Sequence, residues 1–184
     1  MYGLIHTALQ QMIVENYGAE KWSEVLKIAS VSDESFFSTR SYDDEVTFAL
    51  VQSVSEVLNA PIDDCLELFG QFWLKEFAPQ SYDMLLQAAG SSLFDFLDNL
   101  NALHDRISTT FVGYVPPSFH LQRVNDSEAT LEYRSSRNGM VPFVIGLIKG
   151  MQDRFDVQIT IHAVNVVNKN PGVQALIKLE VVPR

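Results

Sequence analysis

In this chain of 184 residues the spacing of apolar residues changes after Pro116-Pro117, and that change limits the folds the chain can adopt. From Gly3 to Phe111 the apolar side chains recur at spacings of three and four, which is typical of helices. After Pro116-Pro117 they alternate with polar residues, which is typical of strands. This order predicts an α+β protein with a helical N-terminal part and a C-terminal antiparallel sheet against which at least one helix packs.

Glycine, proline and polar stretches divide these patterns into elements. Gly18 ends the first helix, residues 30–44 are polar and read as a loop, and Pro79 is expected to break the helix before it. We predict helices over residues 3–17, 21–29, 45–58, 61–77, 82–89 and 140–155, with another around His104, and strands over residues 119–124, 129–135, 157–167 and 173–182.

His104 lies within the apolar stripe of its helix, four residues after Leu100 and three before Ile107. An imidazole on a core-facing side is hydrogen-bonded, charged at a cost, or coordinated to a metal. A satisfied core histidine is the ordinary interpretation of a lone His. A lone His is also a poor zinc site, but it suffices for a haem, because the porphyrin already fills four positions on the iron.

A second pattern is the alternation Tyr133-x-Ser135-x-Arg137. Alternate residues of an extended strand face the same side, so a phenol, an alcohol and a guanidinium would converge there. Such a group suits a ligand with two neighbouring anionic groups, for example the paired propionates of a haem. The edge of a solvated strand is the plainer interpretation of three alternate polar residues.

Together, His104, Pro116-Pro117 and the Tyr-x-Ser-x-Arg pattern resemble the H-NOX (haem–nitric oxide/oxygen binding) family, which is related to the haem domain of soluble guanylate cyclase. The resemblance covers essentially the whole chain, including residues 1–5 and 146–150. It implies a single domain over residues 1–184, with a helical N-terminal subdomain to about residue 62, an α/β subdomain over 63–184, and haem between them.

The resemblance also implies roles for individual residues. His104 would be the proximal iron ligand, and Pro117 would press against the porphyrin. The haem would be a non-covalent haem b, since the chain has no Cys-x-x-Cys-His sequence. The propionates would be bound by Tyr133, Ser135 and Arg137, and the other contacts to the haem would come from Ile5, Leu9, Trp73, Phe143 and Leu147.

The distal residues bear on gas selectivity. Oxygen-binding members of the resembled family carry a distal tyrosine on the helix after the Tyr-x-Ser-x-Arg pattern, where this chain has Phe143, or Pro142 if the alignment moves by one residue. Neither side chain donates a hydrogen bond, and only the indole N–H of Trp73 could do so. We therefore expect a pocket that binds NO and CO and forms no stable complex with O2. Release of His104 on NO binding would act as the switch.

Composition excludes several classes of function. The net charge of −10 disfavours nucleic acid and anionic membrane surfaces as partners. Cys65 is the only cysteine, which excludes an intramolecular disulfide and a multi-cysteine metal site. The N-terminus does not resemble a signal peptide, and no apolar run is long enough to span a bilayer. We therefore expect a cytoplasmic protein.

The resemblance implies a sensor rather than an enzyme. Stand-alone bacterial members of the family commonly work with a histidine kinase or a cyclic-di-GMP enzyme, and we expect such a partner in trans because the sequence contains no kinase or cyclase region. Two other functions stay open. One is an enzyme for a small anionic substrate, with Arg137 as the clamp and His104 as the general base. The other is a haem-free interaction module.

Overall fold

The computed structural model describes residues 1–32, 36–111, 113–169 and 171–184, and it confirms the α+β class. The helical part precedes the sheet, and one long helix lies between the two hairpins of the sheet. The helices are α1 Gly3–Tyr17, α2 Ala19–Ala29, α3 Asp44–Leu58, α4 Ile62–Phe72, a π-helical segment Trp73–Phe77, α5 Ala78–Ala88, α6 Leu93–Asp98, α7 Leu100–Ser108 and α8 Val141–Phe155. The strands are β1 Ser118–Arg123, β2 Glu128–Ser135, β3 Val157–Asn168 and β4 Val173–Pro183.

The chain between α4 and α5 stays helical, although Pro79 was expected to interrupt it. The N–H of Ala78 bonds to the carbonyl of Trp73, five residues earlier, so this turn is wider than an α-helical turn. Pro79 then falls in the first turn of α5, where its missing N–H is tolerated. The expected helices 61–77 and 82–89 are therefore successive parts of one helical rod.

The helix expected around His104 is divided. α6 ends at Asp98 and α7 starts at Leu100, with Asn99 between them at φ −92° and ψ 2°. The side chain of Ser92 accepts a hydrogen bond from the N–H of Asp95 and caps α6, which explains why the helix begins at Leu93.

The four strands form one antiparallel sheet in the order β1-β2-β4-β3. Phe119 of β1 lies opposite Tyr133 of β2, and Leu131 lies opposite Ile177 of β4. All four of these residues are buried, because alternate residues of each strand face the helices. Tyr133 therefore points to the interior and not to solvent.

Buried apolar residues form two clusters that meet at Trp73. The first cluster contains residues of the four helices α1, α2, α3 and α4. The second contains residues of the sheet and of helices α5 to α8. By packing, α4 thus belongs with the N-terminal helices, and the subdomain boundary at residue 62 stays a prediction. Within the described part of the chain, no helix combines the length and hydropathy needed to cross a membrane.

Candidate cofactor site

A largely apolar cavity lies between the two clusters, with a volume of about 290 Å³ for the centres of water-sized spheres. One water needs on the order of 15 Å³, so this space suits a cofactor better than isolated waters. The wall contains nine of the ten residues singled out from the sequence: Ile5, Trp73, His104, Pro117, Tyr133, Ser135, Arg137, Phe143 and Leu147.

Leu9 is the exception, since it does not line the cavity, and its contact with the cofactor stays a prediction. It is 2% exposed and packs in the N-terminal cluster. Ile5 and Leu9 share one face of α1, but only the N-terminal end of this helix reaches the cavity. One helical turn, about 5.4 Å along the axis, carries Leu9 into the core behind it.

His104 is half-buried on α7, and its ring lies against the ring of Phe119 with centroids 5.6 Å apart and an interplanar angle of 13°. Its Nδ1 atom is buried and has no hydrogen-bond partner among the described residues. Burial lowers the pKa of His104, while the Leu100 carbonyl one turn earlier and the Asp105 carboxylate partly offset this. The Leu100 carbonyl does not form a well-aligned hydrogen bond with Nδ1. The ring is therefore neutral near pH 7 and can ligate a metal.

The Tyr133-x-Ser135-x-Arg137 group reaches the cavity as expected, but by two different means. Tyr133 and Ser135 belong to β2, which ends at Ser135, so Arg137 lies beyond the strand. A bend brings it back, and Ser135 Oγ accepts the backbone N–H of Arg137 at 3.0 Å. Burial raises the pKa of the Tyr133 phenol, although Ser135 and Arg137 oppose this, so the phenol stays a hydrogen-bond donor at neutral pH.

The guanidinium of Arg137 has two partners that sequence reasoning missed. Its Nε donates to Asp44 Oδ2 at 2.7 Å, and its Nη1 donates to the Val115 carbonyl at 3.0 Å. The other Asp44 oxygen accepts from the Met1 ammonium at 2.7 Å. Burial alone would raise the pKa of Asp44, but the Met1 ammonium and Arg137 outweigh it and lower this pKa. In the sequence, Asp44 is the last residue of the polar stretch 30–44, and no pattern there marks it as a site residue.

The wall formed by the helical segments is aromatic and apolar. The Phe143 ring lies 5.2 Å from that of Phe69 and 6.5 Å from that of Trp73, between ring centroids. Ile5 and Leu147 add aliphatic surface. The indole N–H of Trp73 makes no hydrogen bond among the described residues. Tyr82, which sequence reasoning did not single out, also lines the cavity.

An asparagine joins the His104 helix to the sheet. The side-chain amide of Asn101 donates to the Phe119 carbonyl at 2.7 Å and accepts from the Phe119 N–H at 2.9 Å. Phe119 is the second residue of β1 and lies beside the His104 ring, so one α7 side chain fixes the distance between helix and strand.

These residues fit a haem. The cavity offers an imidazole, an apolar wall for a flat macrocycle and a guanidinium, which are the groups that such a cofactor requires. A buried nitrogen of that imidazole has no hydrogen-bond partner among the described residues. No group of three or more His, Cys, Asp or Glu side chains able to hold a bare metal ion occurs among the described residues.

A family model described as "Haem-NO-binding" matches residues 2–163. The chain belongs to this family. Its members are haem-binding gas-sensor domains, so the chain is a sensor domain and not an enzyme. The resemblance seen in the sequence is thereby confirmed.

Relatives and solved structures agree with this assignment. The chain is 32% identical to soluble guanylate cyclase gcy-32 of Caenorhabditis elegans and 28% identical to soluble guanylate cyclase 89Db of Drosophila melanogaster. The matches cover 88% and 84% of this chain but only 24% and 23% of those proteins, so the chain spans about a quarter of their length.

The fold matches that of an S. oneidensis H-NOX protein in its Fe(II)NO state with a TM-score of 0.85, at 23% identity, over 99% of both chains. It also matches the I5F mutant of T. Tengcongensis H-NOX with a TM-score of 0.86, at 22% identity, over 98% of this chain and 97% of that one.

Proposed function

We propose that this domain senses NO through a ferrous haem b, also binds CO, forms no stable complex with O2, and regulates a separate signalling protein. The observation that carries the proposal is His104, a half-buried imidazole on the wall of an apolar cavity that also contains Arg137, with an Nδ1 that has no hydrogen-bond partner among the described residues. Access to this cavity separates His104 from a core histidine with only a structural role.

A bound haem supplies an iron with one position for a protein ligand and one for a diatomic gas. His104 provides the protein ligand. Burial keeps the imidazole deprotonated, and its stacking against Phe119 limits rotation of the ring. Tyr133, Ser135 and Arg137 bind the propionates through two hydroxyls and a guanidinium.

Pro117 and the aromatic wall complete the site. Pro117 lines the cavity in the segment just before β1, where its rigid ring can press on the macrocycle. Phe143, Leu147 and Ile5 exclude water from the gas side. A hydrogen-bond donor stabilises bound O2, and these three side chains have none, which supports selectivity for NO and CO.

The signal requires a contact that differs between two states. A bond from His104 to the haem iron would be that contact, if it is made in the resting state and lost on NO binding. α7 carries the change to the sheet through Asn101, which holds both backbone groups of Phe119 in β1. Movement of His104 is therefore coupled to the first strand.

The regulated protein is proposed to be a histidine kinase or a cyclic-di-GMP enzyme. The strong negative charge of −10 favours a basic contact surface on that partner. The lone cysteine, Cys65, is a buried free thiol, which suits the reducing cytoplasm that we propose as its location.

Visible spectroscopy of the purified protein tests the proposal. The wild-type protein is expected to be red, with a Soret band that moves on adding NO, and His104→Ala is expected to lose the ligated spectrum. His162→Ala is the matched control, because His162 is exposed on β3 and lies outside the cavity wall. Colourless wild-type protein that cannot be reconstituted with haemin would favour a haem-free module. An unchanged spectrum in His104→Ala would contradict the assigned ligand.

Exposure of the ferrous protein to air tests the gas selectivity separately. We expect oxidation to the ferric form without an intermediate oxy spectrum, because Phe143 and Leu147 offer no hydrogen bond. A stable oxy spectrum in the wild-type protein that disappears in Trp73→Phe would show that the indole N–H faces the gas and would overturn the predicted O2 exclusion.

A further inference from the structure

The guanidinium of Arg137 is fixed by two neighbours in a way that leaves part of it free. Asp44 holds Nε at 2.7 Å and the Val115 carbonyl holds Nη1 at 3.0 Å. Arginine has five N–H donors, and Nη2 makes no hydrogen bond among the described residues. Since Arg137 lines the cavity, these unused donors are available to an anion bound there.

Asp44 itself is not part of the cavity wall, although both of its partners are. It stands at the start of α3 and holds Arg137 with one oxygen and the Met1 ammonium with the other, each at 2.7 Å. The Asp44 and Arg137 side chains are 35% and 20% exposed, so the pair is partly shielded from solvent. One carboxylate thus orders two cationic groups at the edge of the cavity.

Asp44 also joins two parts of the fold. α3 packs in the N-terminal cluster, whereas Arg137 follows β2 of the sheet, 93 residues later in the chain. Among the ion pairs of the described residues, this one has the greatest separation in sequence. Any movement of α3 relative to the sheet therefore moves Arg137 or breaks the pair.

We propose that Asp44 is a positioning residue of the cofactor site, which holds Arg137 by Nε so that its remaining N–H donors face the cofactor's carboxylates. The inference rests on the proposed haem function and adds a residue that does not touch the haem. Without Asp44, the guanidinium loses its orientation and gains conformational freedom, so the carboxylates lose a directed partner.

Asp44→Asn tests this role, and Asp43→Asn is the matched control. The two changes remove the same charge from adjacent positions, but Asp43 is exposed and has no ion pair among the described residues. Both variants and the wild type are loaded with haem, and release is followed by transfer to an excess of a haem-scavenging protein. We expect Asp44→Asn to release haem about tenfold faster than the wild type, which is typical of losing one charge-assisted contact, and Asp43→Asn to change the rate less than about twofold.

Two further readouts separate positioning from a general loss of structure. The ferrous spectrum of Asp44→Asn is expected to match that of the wild type, because His104 is untouched. Its reduction potential is expected to be more positive than that of Asp43→Asn, because Arg137 and the Met1 ammonium then act on the haem without their counter-charge. Asp44→Glu, which keeps the charge, should recover most of the slow release, and it also serves as the test variant if Asp44→Asn does not fold.

The outcomes distinguish the two proposals. If the wild type takes up no haem, the proposed function fails, and the role of Asp44 fails with it. If the wild type holds haem through His104 but Asp44→Asn and Asp43→Asn release it at equal rates, only the role of Asp44 is overturned. Equal release from Asp44→Glu and Asp44→Asn would also overturn it, because charge would then be irrelevant.

Discussion

Two histidines of this protein carry a buried Nδ1 without a hydrogen-bond partner among the described residues, and their surroundings separate them. His104 lines the cavity. His6 is fully buried in the N-terminal cluster, with Nε2 2.7 Å from Thr47 Oγ1 and the Phe36 ring 4.6 Å away between centroids. Residue type and burial alone therefore do not identify a ligand, and access to the cavity is the additional requirement.

His6 gives the protein a pH-dependent stability. Burial and the nearby N-terminal ammonium lower its pKa from 6.5 to about 4. Between these values the unfolded chain binds a proton that the folded chain does not, so the free energy of unfolding rises with pH across this window. The contribution is complete above pH 6.5 and is lost as the pH falls towards 4. At 1.36 kcal/mol per pH unit, the full effect is about 3 kcal/mol.

Urea unfolding of the wild type and His6→Gln at about pH 7, 5.5 and 4.5 checks this prediction. Gln can keep a hydrogen bond to Thr47 but does not titrate, so the free energy of unfolding of His6→Gln should fall less at low pH than that of the wild type. His162→Gln is the control for the loss of a histidine, because that side chain is exposed on β3 and lies outside the N-terminal cluster. Parallel curves for the wild type and His6→Gln would contradict the assignment.

At the scale of elements, the backbones of α4 and α8 are in direct contact where the two helices cross. A Cβ atom on Gly146 would collide with the Glu67 carbonyl oxygen, and one on Gly70 would collide with the Phe143 carbonyl oxygen. Backbone cannot move aside as a side chain can, so these glycines set the distance between the helices. Phe143 and Leu147 reach the cavity because this crossing places their helix close to α4.

Gly146→Ala is expected to destabilise the protein by about 2–3 kcal/mol, because the new methyl group forces the two helices apart. Gly150→Ala is the matched control one turn later. Its added Cβ would lie 3.3 Å from the Gln71 carbonyl oxygen, a tight contact that a small shift relieves. Alanine also favours the helix by up to about 1 kcal/mol over glycine, so this control should be nearly neutral. Equal losses of unfolding free energy for Gly146→Ala and Gly150→Ala in chemical denaturation would show that the two helices are less closely packed at Gly146 than described.

The sequence predicted elements well where one period dominates. Alternation placed β2 and β4, and the three-four spacing placed α1, α3 and α8, within a few residues of their bounds. It could not predict the π-helical segment before Pro79. In residues 73–77 apolar side chains point to both sides of the helix and pack against both clusters. This packing, which the spacing does not show, determines the width of the turn.

The candidate site was predictable to the extent that its residues carry local patterns. His104, Tyr133 and Ser135 lie on elements whose faces the spacing reveals. Asp44 pairs with Arg137 across 93 residues, and a single sequence has no local signal for such a contact. The spacing gives the face of α1 but not how far that helix runs past the cavity, so it could not show that Leu9 lies outside the cavity wall.

For the whole molecule, the cavity lies between two clusters that meet at Trp73. A haem bound there would contact both clusters. It would bind the folded state but not the unfolded state and would therefore stabilise the protein. At a ligand concentration a thousandfold above Kd, such binding adds about 4 kcal/mol. For a chain of this size, 1 kcal/mol raises Tm by about 2–4 °C, so the expected rise is about 8–16 °C.

Thermal unfolding of the haem-loaded and haem-free protein at equal concentration measures this shift. Trp22 lies in the N-terminal cluster and Trp73 at the cavity, so fluorescence of Trp73→Phe reports on the N-terminal cluster alone. We expect the Trp22 transition of the haem-loaded protein to lie at a higher temperature than that of the haem-free protein and to coincide with the loss of its Soret band. A Trp22 transition at the same temperature in both forms would mean that the haem stabilises only the part of the protein around the sheet.

The grip of Asn101 on Phe119 has a mechanical consequence. Because a single amide clasps the donor and the acceptor of one strand residue, α7 cannot slide along its own axis unless β1 follows or both bonds rupture together. A displacement of His104 would thus be transmitted to the edge strand of the sheet at a single residue. Asn101→Ala would remove this connection, so that the same displacement would no longer be transmitted to β1.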